Sequence, residues 1–204
     1  MSHVSDSIKG RRSVRKYLAQ PVPQKAIEEV LVAAGWAPSA HNAQPWRFIV
    51  IADAQVKREL AGAMAKTWAA DIAKESVSVE PEIFRLRMER FATAPALIMA
   101  CLSMDSMAKF SDDEKQGCER DLAVQSVAAA LENLLLAAHS MRLGACWFCA
   151  PAFCKGTVRQ VLGIPAQVEP QALIALGYPA EEPPVPPRKH LSEYCFRDKW
   201  GEKF

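Results

Sequence analysis

One segment limits the possible folds of this chain more than any other. From about Glu119 to Met141, in the run DLAVQSVAAALENLLLAAHSM, apolar residues occupy nearly every side of a helix. A helix that is apolar all round is buried, in a protein core or in a membrane. The longest apolar run is broken by Glu132 and Asn133 and is too short to span a bilayer. The sequence therefore predicts a helix in the middle of a layered protein, with no membrane partner.

Candidate strands and helices alternate on both sides of this helix. Pro23 opens one helix, and Asp53 is a candidate N-cap for another, which would expose Lys57, Arg58 and Lys66. Shorter helices are predicted at RLRMERF and at residues 153–162. Apolar runs predict strands at residues 48–51, 95–102, 145–150 and 171–178. This alternation, without internal repeats, predicts one domain over residues 1–204 with an α/β or α+β sandwich around a single core.

The C-terminal segment, residues 178–204, differs in composition from the rest. It carries five prolines, which favour an extended course: Pro179, Pro183, Pro184, Pro186 and Pro187. Tyr194, Phe196 and Trp200 follow, and large aromatic side chains are poorly placed in solvent. We expect an arm that packs along its own domain or along a partner subunit, and a disordered tail is the alternative.

Charge and cysteine content narrow the class of protein. The formal net charge is only +2, with acids and bases interspersed, so the sequence predicts no general affinity for nucleic acid or for anionic membranes. The first twenty residues contain no apolar stretch typical of a secretory signal. Six cysteines in a chain of this length then indicate free thiols in the reducing cytoplasm.

The first candidate site is the basic run RRSVRKY. Arg11, Arg12 and Arg15 surround Ser13, and arginine forks match phosphate oxygens in a bidentate way. Solvated surface charge is the alternative interpretation of this cluster. Near the other end of the chain, Arg188 and Lys189 follow the proline run, where restricted backbone freedom would help them complete an anion site.

Other motifs favour no catalytic group of the chain's own. The loop APSAHNAQPWRFIVI contains His41, a possible acid or base, but no acidic partner flanks it, and Glu119 shows no pairing along its helix. The CWFC motif around Trp147 and Cys149 lies in a predicted strand without a second pair of metal ligands, so structural cysteines and no metal site are expected. Neither GxGxxG nor a P-loop occurs.

Taken together, four stretches resemble the nitroreductase family of flavoproteins. They are RRSVRKY, then PVPQKAIEEVLVAAGWAPSAHNAQPWRFIVI, then NLLLAA leading to LGACW, and finally LGYPAEEPPVPPRK. The resemblance covers nearly the whole chain in order. It implies an α+β fold with a central, mainly antiparallel sheet flanked by helices, and an intertwined homodimer with FMN at the subunit interface.

The resemblance also implies roles for particular residues. Arg11, Arg12, Ser13 and Arg15 match the N-terminal flavin motif, with Arg11 and Ser13 toward the phosphate and Arg15 toward the pyrimidine edge. Pro38, Ser39 and Asn42 match a loop that reaches the flavin from the other subunit, and Arg188, with Lys189, matches a C-terminal phosphate contact. Trp147, Cys149 and Ala150 match the segment beside flavin N5, where many relatives carry Glu-Gly instead.

A flavin explains why the sequence shows no catalytic pair, because FMN itself carries hydride chemistry. The expected activity is ping-pong transfer from NADH or NADPH, through FMN, to a nitroaromatic, quinone or unsaturated small molecule. The loop form and the C-terminal motif most resemble the subgroup near the deazaflavin-reducing flavin domain, so a reductase acting on or with a deazaflavin stays an alternative. Two further alternatives are iodotyrosine-type dehalogenation and a flavin-binding protein without catalysis.

Overall fold

A four-stranded antiparallel sheet forms the centre of the chain. The computed structural model describes residues 3–76 and 78–204. The strands lie in the order β1-β2-β4-β3, and every neighbouring pair is antiparallel. Their bounds are Trp46–Ile51 for β1, Ala96–Ser103 for β2, Gly144–Phe148 for β3 and Val168–Gly177 for β4.

Helices cover both faces of this sheet. Within the described ranges, the α-helices are α1 (His3–Gly10), α2 (Gln24–Gly35), α3 (Ala54–Lys74), α4 (Pro81–Ala92), α5 (Asp113–Ser140), α6 (Ala150–Phe153) and α7 (Lys155–Leu162). One face packs against α2 and α5, and the other packs against α3, α4 and α7. The predicted α+β class, with a mainly antiparallel sheet flanked by helices, is confirmed.

Strand β2 is central because all eight of its residues are buried. Successive side chains of a strand point to opposite faces. Ile98 and Leu102 accordingly belong to the core on the α2/α5 side, whereas Leu97 and Met99 belong to the core on the α3/α4 side. Burying one such side chain contributes about 1.5–3 kcal/mol, so the apolar run of β2 holds both layers together.

Helix α5 begins earlier than the sequence suggested. It starts at Asp113, and Asp112 caps it by accepting a hydrogen bond of 2.9 Å from the Lys115 backbone N–H. Among the described residues it is the helix that is long and apolar enough to cross a membrane, by length and composition alone. The completely buried Ala123, Ala130 and Leu131 place it in the core of the fold.

Several local predictions need correction. Helix α4 is longer than the predicted RLRMERF segment, and α1 was not predicted. The predicted strand 145–150 ends at Phe148, because Pro151 sits in the first turn of α6. Lys57 is buried rather than exposed, and its Nζ donates hydrogen bonds to the carbonyl oxygens of Ala94 and Pro95 at 2.6 and 3.1 Å. The predicted Asp53 cap of α3 is confirmed.

The C-terminal arm follows an extended path, with a short turn at Leu191–Glu193. Its aromatic residues contact one another, since the Phe196 and Trp200 rings lie 4.7 Å apart. The exposed fractions of Trp200, Tyr194 and Phe204 are nevertheless 90, 63 and 68 %. The arm therefore presents a large apolar surface that its own domain does not cover.

Glu169, near the start of β4, joins three parts of the fold. Its Oε1 accepts hydrogen bonds from Arg120 of α5 and Lys155 of α7, each at 2.5 Å, and from Gln171 at 2.8 Å. Burial alone would raise the pKa of Glu169, but the bonds from Lys155 and Arg120 outweigh it and lower that pKa to about 2. The ionised carboxylate therefore stabilises the folded state.

We predict that this stabilisation depends on pH. Because the folded pKa of Glu169 lies below the ordinary value of 4.5, its contribution is complete above pH 4.5 and is lost as the pH falls toward 2. Glu169→Gln should therefore lower the free energy of unfolding by about 1–3 kcal/mol at pH 7. The difference from the unmodified protein should shrink in urea titrations between pH 4.5 and 2.5.

Glu82→Gln is the matched control, because Glu82 pairs with Arg85 on the exposed surface of α4. Its effect at pH 7 should be much smaller than that of Glu169→Gln, because solvent screens an exposed ion pair. Equal losses for the two variants, or a Glu169→Gln effect that does not change with pH, would contradict the assignment.

Candidate functional site

The basic cluster, defined as residues 11–15, is fixed to the outer edge of β3. The Val14 backbone N–H donates to the Ala145 carbonyl oxygen at 3.1 Å. Farther along, Leu18 donates to Tyr178 at 2.9 Å, and Ala180 donates to Lys16 at 2.9 Å. Gly144 permits the close approach, because a Cβ atom there would lie 2.8 Å from the Val14 side chain. Backbone pairing thus holds the cluster in place.

The arginines of the basic cluster are not equivalent. Arg12 stabilises the end of α1, since its Nη1 donates to the carbonyl oxygens of Lys9, Gly10 and Arg11 at 2.7–3.1 Å. Arg11 Nε is buried and has no hydrogen-bond partner among the described residues, although Glu132 Oε1 lies 3.7 Å away. Arg15 is exposed. Arg11 and Arg15 are therefore the better placed of the three for an external anion.

A first cavity of about 440 Å³ lies beside the basic cluster. Arg11, Arg12 and Arg142 line it, together with Glu181 and Glu182. The Glu181 carboxylate accepts hydrogen bonds from the backbone N–H groups of Arg15 and Lys16 at 2.7 and 3.1 Å. A carboxylate of the chain itself is thus already bound to these backbone N–H groups.

A second cavity, which we call the aromatic cavity, has a volume of about 450 Å³. It lies between α3, α4, the end of β3 and α6, and apolar and aromatic side chains form most of its wall. Arg87 and Arg90 of α4 also face it, and Cys149 and Ala150 lie at its β3 end. Its lining residues are Ala61, Met64, Ala65, Thr67, Trp68, Asp71, Ile72, Arg87, Arg90, Phe91, Phe148, Cys149, Ala150, Phe153 and Cys154.

Phe148 lines the aromatic cavity and Trp147 does not. Neighbouring residues of a strand face opposite sides of a sheet, so Trp147 packs against the α2/α5 core while Phe148 packs against the α3/α4 core. The Phe148 ring meets Phe91 edge-on at 5.0 Å. Trp147 Nε1 is buried and unpartnered within the described part of the chain.

The buried thiol of Cys146 connects the basic cluster with the aromatic cavity. Burial raises the pKa of Cys146, whereas the charges of Arg15, Arg90 and Arg11 and a hydrogen bond with Ser13 act in the opposite direction. The basic cluster pairs with β3 at Ala145, and the aromatic cavity begins at Phe148, farther along the same strand.

Sequence reasoning missed Arg87 and Arg90. They are more than seventy positions from the basic cluster, and only the packing of α4 beside β3 brings them near it. A signal was present, since basic residues three apart share one face of a helix.

The cysteines show no arrangement for metal binding or disulfide chemistry. Cys149 is exposed at the aromatic cavity, and Cys154 Sγ lies 3.4 Å from the Ala150 carbonyl oxygen. All six cysteines are free thiols. Across residues 3–76 and 78–204, no group of three or more His, Cys, Asp or Glu side chains is placed to hold a metal ion.

The polar loop before β1 adopts an unusual backbone. His41, Asn42 and Gln44 have φ values of 55, 51 and 47°, in the left-handed region that costs energy for residues other than glycine. Ser39 Oγ accepts a hydrogen bond from the Gln44 N–H at 3.1 Å. Pro38 and Asn42 are exposed, and neither they nor Ser39 line the two cavities of their own chain.

His41 has an acidic partner, contrary to the sequence-based interpretation. Its Nε2 lies 3.2 Å from Oε1 of Glu119, whose side chain is 8 % exposed, while that of His41 is 54 % exposed. Glu119 Oε2 is buried without a hydrogen-bond partner among the described residues. The pairing joins residues 78 positions apart, so no local pattern indicates it.

Arg188 and Lys189 lie in the exposed arm, and neither lines either cavity. A single chain therefore places Cys149 and Ala150 at the aromatic cavity and Arg11 at the first cavity, while Ser13 pairs with Ala145 on the edge of β3. It does not bring Pro38, Ser39, Asn42, Arg188 or Lys189 to the cavity walls.

The fold and this site define an α+β sheet protein with an aromatic cavity and a basic cluster on neighbouring parts of one strand. The sequence matches the profile of the nitroreductase family over residues 8–178, and the chain belongs to that family. A Methanothermobacter thermautotrophicus protein with the provisional name NADH dehydrogenase/NAD(P)H nitroreductase is 32 % identical over 204 residues, covering 94 % of this chain and 87 % of its own length. The NADH dehydrogenase of Thermus thermophilus is 32 % identical and covers 84 % of each chain.

A solved structure extends the comparison to a cofactor. A Desulfovibrio desulfuricans protein, crystallised in complex with FMN, is 27 % identical to this chain. It superposes with a TM-score of 0.75 and covers 98 % of this chain and 99 % of its own. The predicted membership of the nitroreductase family is therefore confirmed.

We predict that the His41–Glu119 pair stabilises the fold. His41→Ala would leave a buried carboxylate without its partner, and should lower the free energy of unfolding by about 1–3 kcal/mol in urea titrations at pH 7. The double variant His41→Ala, Glu119→Leu should recover most of this loss, because both polar partners are then gone.

His190→Ala serves as the control, since His190 is exposed in the arm. A double variant that is less stable than His41→Ala alone would contradict the coupling.

Proposed function

We propose that this protein binds FMN in the aromatic cavity and beside the basic cluster, and that it acts as an FMN-dependent oxidoreductase. The observation that carries the proposal is that β3 joins cations and aromatic rings: the basic cluster pairs with Ala145, and Arg90 Cζ lies 5.7 Å from the ring centre of Phe148, which lines the aromatic cavity. The cavity volume of about 450 Å³ lies in the range of cofactor pockets. The FMN complex of a relative supports the choice of flavin.

The residues present fit such a cofactor. Arg11 Nε is buried and has no hydrogen-bond partner within the described part of the chain. This is expected of a donor whose partner is an anionic ligand from outside the chain. With Ser13 beside it, Arg11 would hold the phosphate, and Arg12 would support it by fixing the end of α1. Arg15 and Arg90 are positive and lie near the same part of β3, so they would face the electron-rich pyrimidine edge.

The chain itself would bind and orient rather than react. When bound, FMN would supply the hydride chemistry of a ping-pong reaction between NADH or NADPH and a nitroaromatic, quinone or unsaturated molecule. Phe148 and Phe91 would shape the floor of the site. A backbone N–H in the Cys149–Ala150 segment would donate toward the ring, with Trp147 bracing the segment from the opposite face of the sheet.

Remaining contacts would come from a second copy of the chain. Pro38, Ser39 and Asn42 do not line the two cavities of their own chain, and Arg188 and Lys189 lie on the exposed arm. Exposed apolar groups would be covered in a homodimer, among them Trp36 at 83 % and Trp200 at 90 % exposure. We therefore propose that the cofactor lies at the interface of a homodimer.

Two other functions are candidates, and the bound flavin would be reduced by a different donor in one and not reduced in the other. The loop form APSAHNAQPWRF and the segment GYPAEEPPVPPRK favour a reductase acting on or with a deazaflavin coenzyme as the second candidate. A flavin-binding protein without catalysis is the third. The six free thiols support a cytoplasmic location, and the small net charge supports small molecules rather than nucleic acid as partners.

Anaerobic stopped-flow mixing separates these functions. We expect the purified protein to be yellow, and NADH or NADPH to bleach its flavin within a single turnover. Bleaching by a reduced deazaflavin alone would favour the second candidate. If none of the three donors bleaches the bound flavin, the reductase function is wrong.

The phosphate assignment predicts weaker cofactor binding in two variants. Arg11→Ala and Arg188→Ala should each raise the FMN dissociation constant by about 10- to 100-fold, because each removes a charge-assisted bond of about 1.5–3 kcal/mol. Fluorescence titration of the flavin-free protein measures the change. Arg58→Ala is the control, as it removes the same charge from the exposed start of α3. Unchanged affinity in both test variants would contradict the assignment.

A further inference from the structure

Arg87 and Arg90 of α4 line the aromatic cavity. Arg87 stacks on Trp68, with its Cζ 3.9 Å from the ring centre, and Arg90 Cζ lies 5.7 Å from the Phe148 ring centre. Among the described residues, neither guanidinium forms an ion pair or a hydrogen bond. Arg85 of the same helix behaves differently, because it pairs with Glu82 and Glu89 at 2.6 Å. The unpaired arginines are those that face the cavity.

Of the two, Arg87 is the one whose surroundings disfavour its charge. Burial, and next the charge of Arg90, lower the pKa of Arg87, so the protein environment itself disfavours its positive charge. Asp71 is the carboxylate among the lining residues, and it is paired with Lys74 at 2.7 Å. Like charges one helical turn apart repel each other, and the effect is stronger in apolar surroundings. A negatively charged ligand would offset the repulsion.

The two arginines occupy different parts of the cavity. Arg90 lies over the Phe148 ring, at the end of β3. Arg87 lies instead against Trp68 of α3. Arg90 is therefore on the side proposed for the cofactor, and Arg87 is on the side left for a substrate.

We propose that Arg87 recognises a carboxylate on a planar conjugated substrate. The inference rests on the proposed function, and it names the chemical class that the site prefers. Arg87 Cζ lies over the Trp68 ring, and no hydrogen bond within the described part of the chain occupies its N–H groups, so the guanidinium can bind a carboxylate in a bidentate way. Met64, Ile72 and Phe153, which also line the cavity, provide apolar contact for an aromatic ring.

Isothermal titration of the FMN-loaded protein tests the inference without turnover. The probes are 4-nitrobenzoate and its uncharged methyl ester. The unmodified protein should bind the acid at least about 10-fold more tightly than the ester. Arg87→Gln should weaken binding of the acid by about 10- to 100-fold and leave the ester unchanged. Arg87→Lys should keep part of the preference, because it retains the charge and loses the fork.

Arg85→Gln is the matched control, since it removes a paired arginine from the same helix. It should leave both affinities unchanged. Equal affinity of the unmodified protein for acid and ester would overturn the inference. So would release of FMN from Arg87→Gln, which would assign Arg87 to the cofactor, or weaker binding of NADPH but not NADH, which would assign it to a dinucleotide phosphate.

The outcomes that overturn the role of Arg87 can be distinguished from those that overturn the proposed function. A purified protein that holds no FMN, or whose FMN no donor bleaches, contradicts the oxidoreductase proposal. A yellow protein that NADH bleaches, and that binds acid and ester equally, contradicts only the role of Arg87.

Discussion

The burial of β2 on both faces is the constraint on which the rest of the structure depends. Its eight buried residues require a helical layer on each side of the sheet. Helices α2 and α5 supply one layer, and α3, α4 and α7 supply the other. Buried Lys57 then reinforces the entry into this strand, because its ammonium group binds the carbonyl oxygens of Ala94 and Pro95. The central strand thus fixes where α4 can lie.

The candidate site lies at the end of β3, where the sheet stops. Strand β3 lies at the edge of the sheet and stops at Phe148, since Pro151 begins a helical turn just beyond it. The layer of α3 and α4 continues past that point, and the aromatic cavity occupies the space between them. The basic cluster closes the open edge of β3 through the Val14 to Ala145 hydrogen bond. One strand thus has the basic cluster along its edge and the aromatic cavity at its end.

The predicted flavin-binding residues that do not line a cavity of their own chain lie on exposed parts of the surface. The loop around Asn42 and the arm carrying Arg188 are exposed, as are Trp36 and Trp200. A soluble chain that leaves such groups uncovered commonly has a partner. The nitroreductase family, to which the chain belongs, offers a homodimer as the simplest proposal that completes the cofactor site and covers the apolar groups at once.

The sequence by itself determined a layered sandwich of helices and strands, the buried α5, the Asp53 cap and the basic cluster, because periodicity, capping and charge are local properties of the chain. The choice of α+β over α/β came from the family resemblance. Only the tertiary structure decided that Phe148 rather than Trp147 faces the cavity, that His41 meets Glu119, and that Arg87 and Arg90 reach the same space as Cys149. These contacts join residues far apart in sequence. They depend on how β3, α4 and α5 pack, which no local pattern encodes.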